Sequence, residues 1–176
     1  MPDPAESHHR RSIRLKDYDY SQPGAYFVTI CTHLHACVLG QVLNEDMQLS
    51  PFGQIAFDFW EVVTAHFSSV EIDSFVIMPN HIHAILVLHD PSVGAGSPRP
   101  TESTNPAFPG LGQIVGFYKY QTTKQINTLR CIAGGSFWQR NYYEHILRNE
   151  EEWGKTRDYI LANPLRWDED DLYPVP

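Results

Sequence analysis

The chain contains two pairs of histidines with one apolar residue between them, His33-Leu34-His35 and His81-Ile82-His83. The second pair follows Pro79-Asn80 and opens an apolar run that continues through Leu88. In a β-strand, residues i and i+2 project from one face, so His81 and His83 present their imidazoles together while Ile82 faces away. Two convergent imidazoles make most of a divalent-metal site, each ring needing a partner on its other nitrogen to fix its tautomer. The alternative is a pair of sheet-edge histidines bonded to backbone. The first pair lacks the preceding Pro-Asn and stands nearer a strand end or turn, so His33 and His35 are read as surface histidines rather than ligands.

A second set of chemically capable residues lies near the C-terminus. Advancing about 100° per residue along a helix, Trp153 and Ile160 fall on one apolar line. Tyr159 and Asn163 fall together on a separate polar face, one turn apart. Tyr159 is then either a packing residue with a wet hydroxyl or a nucleophile with an oxygen ligand four residues later. A phenol titrates near about 10, so at neutral pH it attacks only with a base or with strong activation of its target. Tyr142 and Tyr143 compete for this role, but they sit in an extended stretch without an amide one helical turn away.

These residues need elements to hold them. Residues 24–32, rich in β-branched and aromatic side chains, read as a strand. A hairpin follows over 38–49, turning at Asn44-Glu45-Asp46. Ser50-Pro51 opens a helix in which Ile55, Phe59, Val62, Val63 and Phe67 recur at helical spacing. Residues 71–78 and 81–89 read as two strands. A Pro, Gly and Ser-rich stretch at 90–110 reads as a flexible loop. A helix over 111–129 offers Ile114, Tyr118, Thr122 and Ile126 as an inner stripe. An extended stretch at 137–147 precedes a last helix, capped by Asn149 with Glu152 at the capping-box position and ended at Asn163 by Pro164. This order predicts an α+β sandwich, a mainly antiparallel sheet with helices on one face. Residues 1–12 read as a disordered basic arm, 13–167 as one domain, and 168–176 as an acidic tail.

The net charge of −8 is unevenly spread. Residues 1–16 carry +2 and 110–166 carry +3, whereas 17–109 carry −9 and the tail −4. Nucleic-acid affinity depends on local clusters of Lys and Arg, so the cationic arm and C-terminal third are where such a partner would bind. Three cysteines without a CxxC pair argue against a disulfide framework or zinc knuckle and are expected to be buried free thiols. No apolar run is long enough for a membrane span, and the polar start is no secretory signal, so a cytoplasmic protein is expected.

Three segments in order resemble one family. These are Pro-Asn-His-Ile-His at 79–83, Phe-Trp-Gln-Arg-Asn-Tyr-Tyr-Glu-His-Ile-Leu-Arg-Asn-Glu at 137–150, and Tyr-Ile-Leu-Ala-Asn-Pro at 159–164. Together with residues 11–15 and 24–29 they are similar to REP-associated tyrosine transposases of the single-tyrosine HUH class, over roughly residues 11–167. The resemblance implies a ferredoxin-like (RRM-like) fold and cleavage and joining of single-stranded or hairpin DNA through a 5′-phosphotyrosine. It implies Tyr159 as nucleophile, and His81, His83 and Asn163 as ligands of Mg²⁺ or Mn²⁺. DNA contacts are then expected from Arg10, Arg11, Arg14 and Lys16 in the arm and from Lys119, Lys124 and Arg140 on the body. Relatives include monomers and dimers, so a homodimer is an open expectation. Two other functions fit parts of the pattern: a non-catalytic protein that binds hairpin DNA, and a metal-dependent enzyme on a small substrate that shares only the histidine pair.

Overall fold

The computed structural model describes residues 19, 20, 22–90 and 109–174. The expected basic arm, with Arg10, Arg11, Arg14 and Lys16, and most of the Pro/Gly/Ser loop lie outside the described residues.

Strand β1 spans Gly24–Cys31, and a 3₁₀ turn follows at His33–His35. The hairpin is β2, Gly40–Leu43, with β3, Asp46–Leu49. Asn44 and Glu45 make the turn at positive φ, 51° and 69°. Helix α1, Pro51–His66, starts where Ser50 Oγ accepts the backbone N–H of Phe52 and Gly53. Strands β4, Val70–Ile77, and β5, His81–Leu88, follow, then α2, Leu111–Leu129, β6, Tyr143–Leu147, and α3, Glu150–Ala162. Asn149 caps α3 by accepting the N–H of Glu152, and the chain continues past Pro164 as a 3₁₀ turn, Pro164–Glu169.

The main sheet is four-stranded and antiparallel, in the order β4-β5-β1-β6. Leaving out the small β2–β3 hairpin, the chain runs β-α-β-β-α-β, the split βαβ arrangement of ferredoxin-like folds. Helices α1 and α2 cover one face together, as the α+β expectation requires. There Tyr26, Val28, Ile30, Ile82, Ala84 and Leu86 meet Trp60, Ile114 and Tyr118 in the principal core. Trp60 and Tyr118 stack with centroids 4.0 Å apart. The third helix crosses the opposite face, where Ile160 and Trp153 pack on Ala25, Ile85 and Leu147.

The expected stripe of α2 is buried at all four positions. That of α1 is met in part. Gly53, Ala56, Trp60 and Val63 are buried, Ile55, Phe59 and Phe67 flank the core, and Val62 is 41% exposed. Val63 of the expected stripe is thus at the centre of the buried side, and only Val62 falls outside it; Gly53, Ala56 and Trp60 are buried positions the stripe did not include. A Cβ on Gly53 would stand 2.0 Å from the Leu39 carbonyl. The thiols also depart from expectation: all three are free, but Cys37 and Cys131 are exposed and only Cys31 is partly covered. Among the described residues no helix is long and apolar enough to cross a membrane.

Candidate metal and nucleophile site

The register of the central strands assembles the site. His83 lies opposite Thr29 of β1 on one side and Val76 of β4 on the other, and Thr29 lies opposite Tyr143 of β6. Directly opposed residues share a face. His81, paired with Cys31, stands two residues away on that same face, the one α3 crosses. The sequence puts two histidines at the start of a strand otherwise made of apolar residues because that strand is central and covered on both sides. His81 is fully buried and His83 is 4% exposed.

The two Nε2 atoms stand 3.0 Å apart. Their outer nitrogens are both held. Asn80 donates from Nδ2 to the Leu172 carbonyl at 2.7 Å, which orients its amide and leaves Oδ1 to accept from His81 Nδ1 at 2.8 Å. That bond places the His81 proton on Nδ1 and its lone pair on Nε2. His83 Nδ1 meets the Thr29 hydroxyl at 2.9 Å, a group able to accept the same kind of proton. Phe27 stacks on the His83 ring at 5.2 Å. Burial lowers the His81 pKa to about 4, with Asp170 opposing and His35 adding to the shift. Burial, and then the charge of His81, lowers that of His83 well below its ordinary value. Both rings are therefore neutral at pH 7, the protonation state a metal ligand requires.

Tyr159 comes to this pair from α3, its hydroxyl 3.2 Å from His83 Nε2 within the same chain. Its ring stands edge-on to Phe27 and is 45% exposed. Burial raises its pKa and the Asp170 carboxylate adds to this, while a hydrogen bond with Asn163 opposes both. Tyr159 rests as a phenol.

The C-terminal segment closes the other side. The Asp170 side chain is 5% exposed, with Oδ2 4.0 Å from His81 Nε2 and 3.3 Å from the Asn163 amide nitrogen that donates to it. Its Oδ1 accepts the Leu172 N–H at 2.6 Å. One ligand atom each from His81, His83 and Asp170 lies within 4.8 Å of the others. Asn163 is 4% exposed, and its Oδ1 is buried without a hydrogen-bond partner among the described residues. His83, Tyr159, Asn163 and Asp170 line one cavity of about 530 Å³.

No family model matches the chain. A protein of Haemophilus influenzae whose own function is uncharacterized is 38% identical over 169 residues, covering 94% of each chain. The chain belongs to the same family as that protein. The fold is shared more widely. The solved structure of a REP-associated tyrosine transposase bound to a REP hairpin superposes with a TM-score of 0.54, covering 88% of this chain and 73% of that one. At 19% identity that likeness is one of fold.

The structure thus brings His81, His83, Tyr159 and Asn163 into one place. The first histidine pair differs in character: His33 and His35 are exposed on a 3₁₀ turn, and His35 contacts Gln139. Among the expected cations, Arg140 and Lys124 are exposed. Lys119 instead turns inward and donates to the carbonyls of Gln139, Arg140 and Asn141, which occupies its three N–H bonds and leaves none for a phosphate. Sequence reasoning missed Asp170, counted only as one charge of an acidic tail, and it missed Thr29. The spacing of neither residue announces a ligand, since both reach the histidines through the fold. Asn80 was visible only as a neighbour of His81.

Proposed function

We propose that this protein cleaves and rejoins single-stranded or hairpin DNA, with Tyr159 as nucleophile and a divalent ion, Mg²⁺ or Mn²⁺, held by His81 and His83. The observation that carries this reading is the Tyr159 hydroxyl 3.2 Å from a ring nitrogen that itself stands 3.0 Å from its twin. The fold shared with a hairpin-bound tyrosine transposase points the same way.

The residues fit an ion. Two cis ligands roughly 2.1 Å from an octahedral ion stand about 3 Å apart, and the histidine nitrogens are 3.0 Å apart. The orphaned Asn163 Oδ1 is a hard acceptor in the same cavity, and the Asp170 carboxylate supplies negative charge. We assign His81, His83 and Asn163 as ligands, with Asp170 as a further oxygen donor that the sequence did not suggest. When bound, the ion would draw electron density from a phosphate oxygen and stabilise the charge that develops there.

The chain's own residues do the rest. Tyr159 loses its phenolic proton to solvent on its exposed side, and its oxygen forms a bond to phosphorus as the bond from phosphorus to the 3′ oxygen breaks. The departing oxygen takes a proton from water and leaves as a 3′-OH, while the 5′ phosphate stays on tyrosine. The phosphodiester energy is retained in that link, so a 3′-OH can reverse the step and join strands without a nucleotide cofactor. Tyr159 reaches the histidines of its own chain, and we assign the attack to that arrangement. Arg10, Arg11, Arg14 and Lys16, with Lys124 and Arg140, are assigned to phosphate contacts; deleting residues 1–16 should flatten the salt dependence of binding.

The test uses 3′-labelled hairpins with randomised single-stranded flanks, incubated with Mn²⁺ and run on a denaturing gel. The expected result is label transferred to protein, lost in Tyr159→Phe and in His81→Ala and on chelation. An adduct surviving in Tyr159→Phe removes Tyr159 from the role. No adduct from the unaltered protein removes the enzymatic reading.

A further inference from the structure

Tyr159 stands between two cavities. The site cavity and a second one, of about 640 Å³, share Phe27, Tyr143 and Tyr159 as their common wall. The second runs along β6 and the first turns of α3, past His145, Arg148 and Lys155. Its floor follows from strand register: His145 lies opposite Phe27, one row below the Tyr143, Thr29, His83 row that forms the metal face. Resting on the reading of Tyr159 as the attacking residue, we infer that this second cavity is the subsite for a nucleotide flanking the cleaved phosphate, with its unpaired base against Tyr143 and its phosphate on Arg148.

A strand whose phosphate sits at the Tyr159 hydroxyl must continue in two directions. On the His83 side, the C-terminal segment from Asp170 to Leu172 lines the cavity. The other direction leads over the shared aromatic wall into the second cavity. Its volume falls in the range of roughly 300–1,000 Å³ that seats small organic ligands. Tyr143 is 44% exposed and packs at a steep angle to Phe27 with centroids 6.3 Å apart, so its ring is held by one neighbour and still presents surface to the cavity. An open aromatic face accepts any base by stacking. Tyr143 and His83 lie two strands apart, about 10 Å between backbones at the usual strand spacing, a short step along an extended strand.

The charges sort in the same sense. The two carboxylates of this cavity are engaged: Glu152 with His145 at 2.5 Å and the Arg148 N–H at 2.9 Å, Glu151 with Lys155 at 2.6 Å. Arg148 forms no ion pair with the described residues and acts on Glu152 only through space, so its exposed guanidinium can turn to a phosphate in a forked contact.

The experiment exposes the full chain with Mn²⁺ to a pool of random single-stranded 12-mers carrying 5-bromouracil, irradiates it and maps the crosslinked peptides. Tyr159 adducts are scored in the same samples. The expected crosslink falls in the β6 peptide containing Tyr143. Binding of the pool, read by anisotropy, should weaken roughly tenfold in Tyr143→Leu and stay near the original in Tyr143→Phe, which keeps the ring. Arg148→Gln should reduce the salt slope by about one. Urea midpoints of the variants verify that each is folded. A Tyr159 adduct with crosslinks elsewhere, or equal binding by Tyr143→Leu, overturns the subsite and leaves the enzymatic reading standing. A Tyr143 crosslink without any adduct supports nucleotide binding in the second cavity but overturns its place beside a cleaved phosphate. Absence of both overturns the two together.

Discussion

A histidine offers a metal only the ring nitrogen that carries no proton, so whatever holds the other nitrogen decides whether the ring can ligate at all. Here Asn80 and Thr29 hold those nitrogens; strand pairing brings Thr29 to His83, and the Leu172 carbonyl orients the Asn80 amide toward its neighbour His81. Asn80→Ala should lower Mn²⁺ affinity by about 10–100-fold, and Thr29→Val should act in the same direction while Thr29→Ser preserves binding; calorimetric titration at pH 7 decides it. Equal affinity in both deletions would show that the rings are oriented by burial alone. The same rings set a pH dependence. His81 titrates at about 4 in the folded state, well below its ordinary value of 6.5, and His83 shifts the same way, both chiefly through burial. The unfolded chain therefore takes up protons first as pH falls. The stability from keeping these rings neutral is fully present above pH 6.5 and is lost as pH falls toward about 4. Urea midpoints of the metal-free protein should decline across that window, and His81→Gln should flatten the decline.

At the scale of elements, the helices differ in how closely they approach what they pack on. Gly53 in α1 sits against the Leu39 carbonyl, whereas a Cβ on Gly116 in α2 or Gly154 in α3 would meet nothing within 4 Å. Gly53→Ala should destabilise the fold, and Gly116→Ala and Gly154→Ala should each stabilise it by about 0.5–1 kcal/mol, the ordinary gain of alanine in a helix. Chemical denaturation that found all three alike would contradict the close approach. Close approach also explains why the buried side of α2 was fully legible and that of α1 only in part. Periodicity detects large apolar side chains, and α2 buries its large ones, Ile114, Tyr118 and Ile126. On the buried side of α1 two of four positions are Gly53 and Ala56. The position of α3 depends on side chains too. Asp73 of β4 accepts from Trp153 Nε1 at 3.0 Å and pairs with Arg157, and these bonds seat the helix that carries Tyr159.

Across the whole molecule, the site is a meeting of two central strands, the third helix and the C-terminal segment, so an ion bound there would tie distant parts of the chain together. Binding to the folded state alone should raise stability by roughly 2.7 kcal/mol when Mn²⁺ is at a hundred times its dissociation constant. The thermal midpoint should rise accordingly in the unaltered protein and stay still in a His81→Ala, His83→Ala double variant. A rise that persists in the double variant would place the ion elsewhere.

By itself the sequence determined most of the elements and which of the candidate residues share a face. Alternation put His81 and His83 on one face, and helical phase set Tyr159 and Asn163 apart from the apolar line of Trp153 and Ile160. These are local properties, written in a repeat of two or of 3.6 residues. What only the tertiary structure decided was the company those residues keep. Strand pairing set Thr29 beside His83 across 54 positions of sequence, and the fold of the C-terminal segment brought Leu172 to Asn80 across 92. Asp170 reached His81 by the same route, turning one charge of an apparent acidic tail into part of the site. Lys119 turned inward for the same kind of reason: the loop before β6 presented three carbonyls within its reach. Periodicity is a signal within an element, and none of these contacts lies within one.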